Sequence, residues 1–253
     1  MTSTKAFVLA CLDRGESNLK KGQYAEAIAN YSKVIEIYPS EGAYYNRGIA
    51  KTKLEDYEGS ITDFCKAIGM NPSFSDAYYN RGVVKTKLED YEGAITDFSK
   101  AIEINPRFSD AYYNRGVAKN DLEDNKGAIS DYDNAIEINP NYFQAYYNRG
   151  IAKDDLEDYS GAIADYDKAI ELNPMDASLY INRGLTKGDL QDHEGEISDY
   201  NKAIELNPMD PDVYLNRGST KKELGDLIGA CADWKKAAEL GDKESAEFFK
   251  EHC

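Results

Sequence analysis

The chain has 253 residues, with 30 Lys and Arg against 46 Asp and Glu, which gives a formal charge of −16. Apolar residues make up 42% and charged residues 30%, too apolar for a disordered acidic tail. The longest apolar run, 6–12, is far shorter than a membrane span. The negative charge argues against nucleic-acid and anionic-lipid partners, because both require Lys and Arg. We therefore expect a folded protein that binds neither nucleic acid nor membrane.

The cysteines and the amino-terminal stretch bear on the cellular compartment. Cys11, Cys65, Cys231 and Cys253 lack C-x-x-C spacing, so we expect four reduced thiols in a cytoplasmic protein. An alternative is a lipoprotein cleavage site at Val8-Leu9-Ala10-Cys11. Only about five apolar residues precede that cysteine, whereas a signal segment needs about 7–15, so we prefer the cytoplasmic interpretation.

An Arg-Gly pair recurs along the whole chain. The first two copies lie 33 residues apart and the later copies 34 residues apart. The copies are Arg14-Gly15, Arg47-Gly48, Arg81-Gly82, Arg115-Gly116, Arg149-Gly150, Arg183-Gly184 and Arg217-Gly218. Such a period predicts repeats one to seven, each a unit that stacks on the next. We number each repeat so that this Arg is position 7.

Repeat three shows the expected structure of one copy most clearly. Its second half carries Tyr91, Ala94, Ile95, Phe98, Ala101 and Ile102, whose spacing of three and four traces one apolar stripe of a helix. Asp90 is a suitable N-cap, and Pro106 forces Asn105 out of the helical region. A first helix precedes it over about 76–88. Each repeat is therefore predicted to be a pair of helices.

This pattern resembles the tetratricopeptide repeat family. The resemblance rests on the period and on residues at the family's signature places, here Tyr78, Gly82, Ala94, Phe98, Ala101 and Pro106. It implies an all-α fold, a right-handed superhelical α-solenoid of helix-turn-helix repeats, in which the first helices line a concave groove. The repeats are expected over 6–240, at about 8–41, 42–74, 75–108, 109–142, 143–176, 177–210 and 211–240. A capping helix is expected over 241–253.

The chain departs from the family pattern at positions 7 and 11 and at Glu196. Position 7 is Arg and position 11 is Lys in repeats two to seven, where members often carry Leu and Tyr. Position 23 is Asp63, Asp97, Asp131, Asp165, Asp199 and Asp233. We predict that each Arg pairs with such an Asp, in its own repeat or in a neighbour. Glu196 replaces a small residue, has no obvious partner, and indicates a looser sixth repeat.

The first helices suggest a peptide-binding groove. Position 6 is Asn46, Asn80, Asn114, Asn148, Asn182 and Asn216. An amide offers a donor and an acceptor, which matches a peptide backbone, and asparagine ladders of this kind occur in some tetratricopeptide superhelices. The alternative is that these amides bond neighbouring repeats. Both roles can hold together.

Position 5 provides an aromatic groove floor, at Tyr45, Tyr79, Tyr113 and Tyr147, with aliphatic residues at position 9. These side chains would suit apolar or aromatic anchors of a partner, or would instead pack between helices. Position 13 changes from Lys53 and Lys87 to Asp121, Asp155 and Asp189. An acidic groove favours a partner with basic residues, although the protein is acidic throughout.

No pattern typical of a catalytic, phosphate-binding or metal-binding site is present in the sequence, so we expect no enzymatic activity and no cofactor. The sequence therefore predicts a scaffold that binds a protein or an extended peptide. One alternative is a solenoid that assembles with copies of itself. A further alternative is a co-chaperone that binds the acidic tails of chaperones. It is less favoured, because those proteins bind the tails with a cationic clamp, and Asp76 and Asp110 stand at its place here and would repel a carboxylate.

Overall fold

The computed structural model describes residues 2–253, and this part of the chain forms fifteen α-helices and no strand. The chain divides after Ile138 into two compact units, which we call the first and second units. The helices of the first unit are α1 (Thr2–Lys20), α2 (Tyr24–Ile37), α3 (Glu41–Lys53), α4 (Tyr57–Met70), α5 (Ser75–Lys87), α6 (Tyr91–Ile104), α7 (Ser109–Asp121) and α8 (Asn125–Ile138). Those of the second unit are α9 (Phe143–Asp154), α10 (Tyr159–Leu172), α11 (Ala177–Asp189), α12 (His193–Leu206), α13 (Pro211–Glu223), α14 (Leu227–Glu239) and α15 (Lys243–His252).

Within each unit the helices pack in chain order. Each odd-numbered helix up to α13 is the first helix of a repeat and packs against the even-numbered helix that follows it. In the first unit α2, α4 and α6 also pack against the next first helix, and in the second unit α10 and α12 do the same. The predicted all-α fold of tandem helix-turn-helix repeats is confirmed.

The turn inside each repeat has one recurring geometry. In repeat three α5 ends at Lys87, and Glu89 then adopts a positive φ of 60°. Asp90 follows as the predicted N-cap of α6 and accepts a hydrogen bond from Gly93 N at 3.0 Å. At the other end of α6, Asn105 is extended (φ −125°), as the following Pro106 requires. The sequence thus fixes both ends of this helix.

The two helices of a repeat cross where a glycine faces an aromatic ring. Phe98 is fully buried, and a Cβ added to Gly82 would lie only 2.8 Å from its ring. The small residues Ala94 and Ala101 are also fully buried on the same side of α6. Such close packing explains why the repeat keeps glycine at position 8. The equivalent pairs are Gly15/Tyr31, Gly48/Phe64 and Gly116/Tyr132 in the first unit, and Gly150/Tyr166, Gly184/Tyr200 and Gly218/Trp234 in the second.

The predicted pairing of position 7 with position 23 occurs inside each of repeats two to seven. Arg81 donates from Nε to Asp97 Oδ2 at 2.8 Å and from Nη2 to Asp97 Oδ1 at 2.5 Å. Lys85 Nζ lies 2.9 Å from the same buried carboxylate. The same arrangement joins Arg47 to Asp63, Arg115 to Asp131, Arg149 to Asp165, Arg183 to Asp199 and Arg217 to Asp233. Each buried carboxylate is therefore neutralised by two cations, which offsets its desolvation.

The guanidinium also reaches the preceding repeat, through position 25. Arg81 Nη1 contacts Cys65 Sγ at 3.1 Å, and Arg115 Nη1 donates to Ser99 Oγ at 2.9 Å. In the second unit Arg217 Nη1 donates to Asn201 Oδ1 at 2.6 Å. In repeats one to six, the residue at position 25 varies in chemistry but retains an atom that can accept a hydrogen bond. Each of these Arg side chains thus links the hairpin of its own repeat to its neighbour.

A disulfide joins the carboxy-terminal end of the chain to α14. Cys231 on α14 and Cys253 after α15 form a disulfide, whereas Cys11 and Cys65 are free. The expectation of four reduced thiols is therefore wrong for Cys231 and Cys253. The two cysteines are 22 residues apart, so C-x-x-C spacing gives no indication that they pair. The ring of Phe248 on α15 also packs on Trp234, with centroids 5.5 Å apart.

Candidate functional site

In the first unit, the position-6 asparagines Asn80 and Asn114 lie on first helices with their amide groups fixed by hydrogen bonds. Asn80 Nδ2 donates to Tyr45 OH of the preceding repeat at 3.0 Å and to Asp76 O at 2.8 Å. Asn114 repeats this pattern with Tyr79 OH at 3.1 Å and Asp110 O at 2.8 Å. Both amide hydrogens are therefore used within the protein, and Oδ1 of either residue has no hydrogen-bond partner among residues 2–253. The row presents acceptors rather than complete amides.

The other asparagines of the row lie in equivalent places. In the second unit Asn182 Nδ2 donates to Tyr147 OH at 2.6 Å. Asn46, Asn148 and Asn216 are half-buried on α3, α9 and α13. Bonding to a neighbouring repeat, the alternative that the sequence left open, thus applies at Asn80, Asn114 and Asn182.

The tyrosines at position 5 are packed rather than open to solvent. The Tyr45 ring lies between Phe64 and Phe74, with centroid distances of 5.9 and 4.7 Å. Tyr79 lies in the same way against Phe98 and Phe108, at 5.8 and 4.8 Å. Burial raises the pKa of Tyr45 and of Tyr79 to about 12. Tyr113 packs on Tyr132 and Tyr147 on Tyr166. These rings support the asparagine row and leave only part of their surface to a partner.

The repeat geometry agrees with the comparison to known families. The pattern of the tetratricopeptide repeat matches residues 8–41, 42–74, 75–108, 109–142 and 143–176, and a TPR repeat pattern matches 189–225. Together these matches cover most of the chain. The chain belongs to the tetratricopeptide repeat family. Members of this family generally act as scaffolds that bind proteins or peptides, without catalysis.

Known proteins of this family are similar to the chain in part or throughout. The small glutamine-rich tetratricopeptide repeat-containing protein of Dictyostelium discoideum is 34% identical over 75 residues, which are 29% of this chain and 22% of that protein. The C-terminal part of a TPR repeat-containing protein from Cytophaga hutchinsonii superposes with a TM-score of 0.79 at 21% identity, over 92% of this chain and 97% of that one. YrrB, described as a TPR protein with an unusual peptide-binding site, has a TM-score of 0.65 at 23% identity, over 74% of this chain and 97% of its own.

The charged residues at position 13 of this tetratricopeptide repeat protein are exposed at the ends of the first helices. The first unit carries Lys53, Lys87 and Asp121 there, and partial desolvation raises the pKa of the Asp121 carboxyl. The second unit carries Asp155 and Asp189, with the exposed Glu223 at the same position of repeat seven. At position 13, the second unit therefore carries carboxylates and no cation.

A polar cavity that the sequence did not predict lies between repeats six and seven. Its volume is about 290 Å³, and Gly188, His193, Glu196, Tyr200 and Thr220 are among its lining residues. Glu196 accepts hydrogen bonds from Tyr200 OH at 3.2 Å and Thr220 Oγ1 at 2.8 Å. It therefore has partners, contrary to our expectation. The sequence does carry a signal for this cavity, because repeat six departs from the other repeats at both Gly188 and Glu196.

The structure of residues 2–253 also bears on metal binding and membrane spans. No group of His, Cys, Asp or Glu side chains there has the arrangement needed to hold a metal ion. No helix among those residues is long and apolar enough to cross a membrane. The cytoplasmic location stays a prediction, and the cysteine argument for it no longer includes Cys231 and Cys253.

Proposed function

We propose that this protein is a non-enzymatic scaffold that binds an extended peptide or a segment of a partner protein along its first helices. The observation that carries the proposal is the fixed asparagine row. Asn80 and Asn114 are held by two hydrogen bonds each, with Oδ1 left as an acceptor at the same place in successive repeats. An acceptor that is already oriented loses little conformational entropy when it receives a backbone N–H.

The surroundings of the row support this interpretation. Val83 and Val117, one helical turn further along α5 and α7, are half-buried and give apolar contact beside the amides. A row of acceptors next to aliphatic surface suits a main chain whose N–H groups point one way and whose side chains reach the valines. The structure of YrrB is described as having a peptide-binding site, so this fold can carry one.

Charge favours a partner with basic residues. The exposed carboxylates of Asp155, Asp189 and Glu223 recur at one position of the second unit. Complementary charge raises the association rate and discriminates between partners. We therefore propose basic residues in the partner segment, with apolar or aromatic residues for contact with the aliphatic positions.

The test is a peptide-display selection on the intact chain, followed by affinity measurements on three proteins. These are the unmodified chain, an Asn80→Ala/Asn114→Ala variant and an Asn30→Ala/Asn134→Ala variant. Asn30 and Asn134 are matched controls, because each donates to the carbonyl four residues earlier but lies on a second helix. We expect the first variant to weaken binding about 5- to 150-fold, from two lost hydrogen bonds of about 0.5–1.5 kcal/mol each.

Two results would overturn the proposal. Equal weakening by both variants would place the binding surface elsewhere. No enriched peptide, together with a mass in light scattering that rises with concentration, would instead favour the self-assembling solenoid.

A further inference from the structure

Repeat six differs from the other repeats at two positions that face each other. Position 12 is Gly188, where repeat three has Thr86, and position 20 is Glu196, where repeat three has Ala94. A Cβ added to Gly188 would lie 3.0 Å from Cδ and Oε1 of Glu196. The missing side chain on α11 therefore makes room for the additional carboxylate on α12. The two departures form one local exchange.

The exchange opens a cavity of about 290 Å³ in the second unit. Residues from α11, α12 and α13 line it, including Asp189, Asn216 and Glu223. Asn216 belongs to the asparagine row, and Asp189 to the charged position 13. The cavity thus lies on the same face of the first helices as the proposed peptide site. Its volume is at the low end for ligand pockets, which start at about 300 Å³, and suits one side chain rather than a larger ligand.

The charge inside the cavity is unbalanced. Glu196 is only 8% exposed, and its carboxylate contacts Tyr200 OH, Thr220 Oγ1 and His193 Nδ1, but no Lys or Arg. On the same helix the buried Asp199 is bonded to both Arg183 and Lys187. Among the described side chains, the other buried carboxylates are the position-23 aspartates, each held by two cations. A buried carboxylate that has no Lys or Arg partner, with an open cavity beside it, favours a cation there.

We propose that this cavity binds the ammonium group of a lysine side chain in the partner segment, and this proposal rests on the peptide-binding function proposed above. Three helices supply the carboxylates of Asp189, Glu196 and Glu223 around one space. An ammonium group has three donors that can turn toward separate acceptors. An arginine fork needs both oxygens of one carboxylate, but both oxygens of Glu196 already have partners. Lysine is therefore preferred over arginine.

The test uses two small probes and the two histidines of the chain. Nα-acetyl-lysine methylamide carries the cation, and Nα-acetyl-norleucine methylamide has a similar apolar stem without it. Proton NMR follows the ring signals of His193, which lines the cavity, and of His252, which does not. A His252→Gln variant assigns the two sets. We expect the lysine probe to shift His193 in a saturable manner and to leave His252 unchanged, and the norleucine probe to shift neither.

Two variants remove the site in different ways. Gly188→Thr/Glu196→Ala restores the Thr and Ala that repeat three carries, so the fold has a precedent within the chain. Glu196→Gln keeps the shape and removes the charge. We expect both to abolish the His193 response to the lysine probe at an unchanged melting temperature. A response that survives in both variants, or an equal response to the two probes, would overturn the lysine site.

The peptides from the display selection separate this proposal from the one it rests on. Replacing their lysines by norleucine is expected to weaken binding to the unmodified chain about 10-fold or more and to change little for Gly188→Thr/Glu196→Ala. Peptides that bind through the asparagine row, with no lysine preference and no His193 response, would overturn the lysine site alone. A specific His193 response without any peptide binding would support the cation site and overturn the peptide-binding function.

Discussion

The guanidinium of Arg115 holds both carboxylate oxygens of Asp131, with Nε 2.9 Å from Oδ2 and Nη2 2.6 Å from Oδ1. Its remaining nitrogen, Nη1, donates to Ser99 Oγ in the preceding repeat at 2.9 Å. One side chain therefore joins the two helices of repeat four and also the second helix of repeat three. Asp131 is buried, and Lys119 Nζ lies 2.8 Å away as its second cation.

Arg115→Ala is expected to lower the free energy of unfolding by about 2–4 kcal/mol, because it leaves a buried carboxylate with one cation instead of two. Arg115→Lys should lose less, since it keeps the charge but not the two-pronged contact. Urea denaturation measures both. Arg14→Ala is the matched control: Arg14 is exposed, and repeat one has Asn30 instead of Asp at position 23. Its effect should stay within about 0.5 kcal/mol, and a similarly small effect for Arg115→Ala would contradict the pairing argument.

Gly82→Ala is expected to lower stability by about 1–3 kcal/mol, because the new methyl group would lie 2.8 Å from the buried Phe98 ring. Gly69→Ala is the control, since that helical glycine on α4 has nothing within 4 Å of an added Cβ. The control should gain up to about 1 kcal/mol from helix propensity. Thermal melts of both variants test these opposite changes in stability. A loss of stability of the same size in Gly69→Ala would show that the Phe98 contact is not the cause.

Glu89→Gly is expected to stabilise the chain by about 0.5–1 kcal/mol, because Glu89 has a φ of 60°, which is costly for a residue with a side chain. Repeat seven already has Gly225 at this place, with a φ of 83°. Glu92→Gly, in the first turn of α6, should instead cost about 1 kcal/mol. Denaturation midpoints of the two variants measure these opposite effects. Destabilisation by Glu89→Gly would show that the Glu89 side chain stabilises the fold by more than its backbone strain costs.

The half-buried tyrosines at position 5 predict a loss of stability at alkaline pH. Burial raises the pKa of Tyr45 and Tyr79 from 10.0 to about 12 in the folded chain. Between these values the folded state retains protons that the unfolded state has lost, so stability is complete below pH 10 and falls as the pH rises toward 12. Denaturation across this range, with phenolate absorbance, measures the effect.

A Tyr45→Phe/Tyr79→Phe variant should lose less stability across this range than the unmodified chain. Tyr38→Phe is the control, because that ring is 67% exposed. An identical alkaline loss in all three proteins would assign the effect to other groups.

Particular residues show how far the sequence alone carries the prediction. The 34-residue period, the N-cap Asp90 and the break at Asn105 were all predicted, because each depends on local chemistry or on periodicity. The pairing of Arg with Asp was predicted as well, but its placement within one repeat was not. The contact from Arg115 to Ser99 was missed, since position 25 of repeats one to six holds Ser, Cys, Asp or Asn and shows no common residue type.

The candidate site divides in the same way. The asparagine row was visible as a repeated residue, but sequence could not show that Tyr45 and Tyr79 occupy its donors. The sequence indicated the place of the cavity only through Glu196, which replaces a small residue and has no obvious partner in the sequence. The link to Gly188 needs the distance between α11 and α12, which no spacing along one helix reveals.

The sequence by itself determined the helices, their ends and their tandem order, because periodicity, caps and prolines act within a few residues of one another. The tertiary structure alone decided which donors and acceptors remain for a partner, where a cavity opens, and that Cys231 meets Cys253. These features depend on distances between side chains of different helices. The packing of whole helices sets those distances, and one repeat's pattern does not contain them.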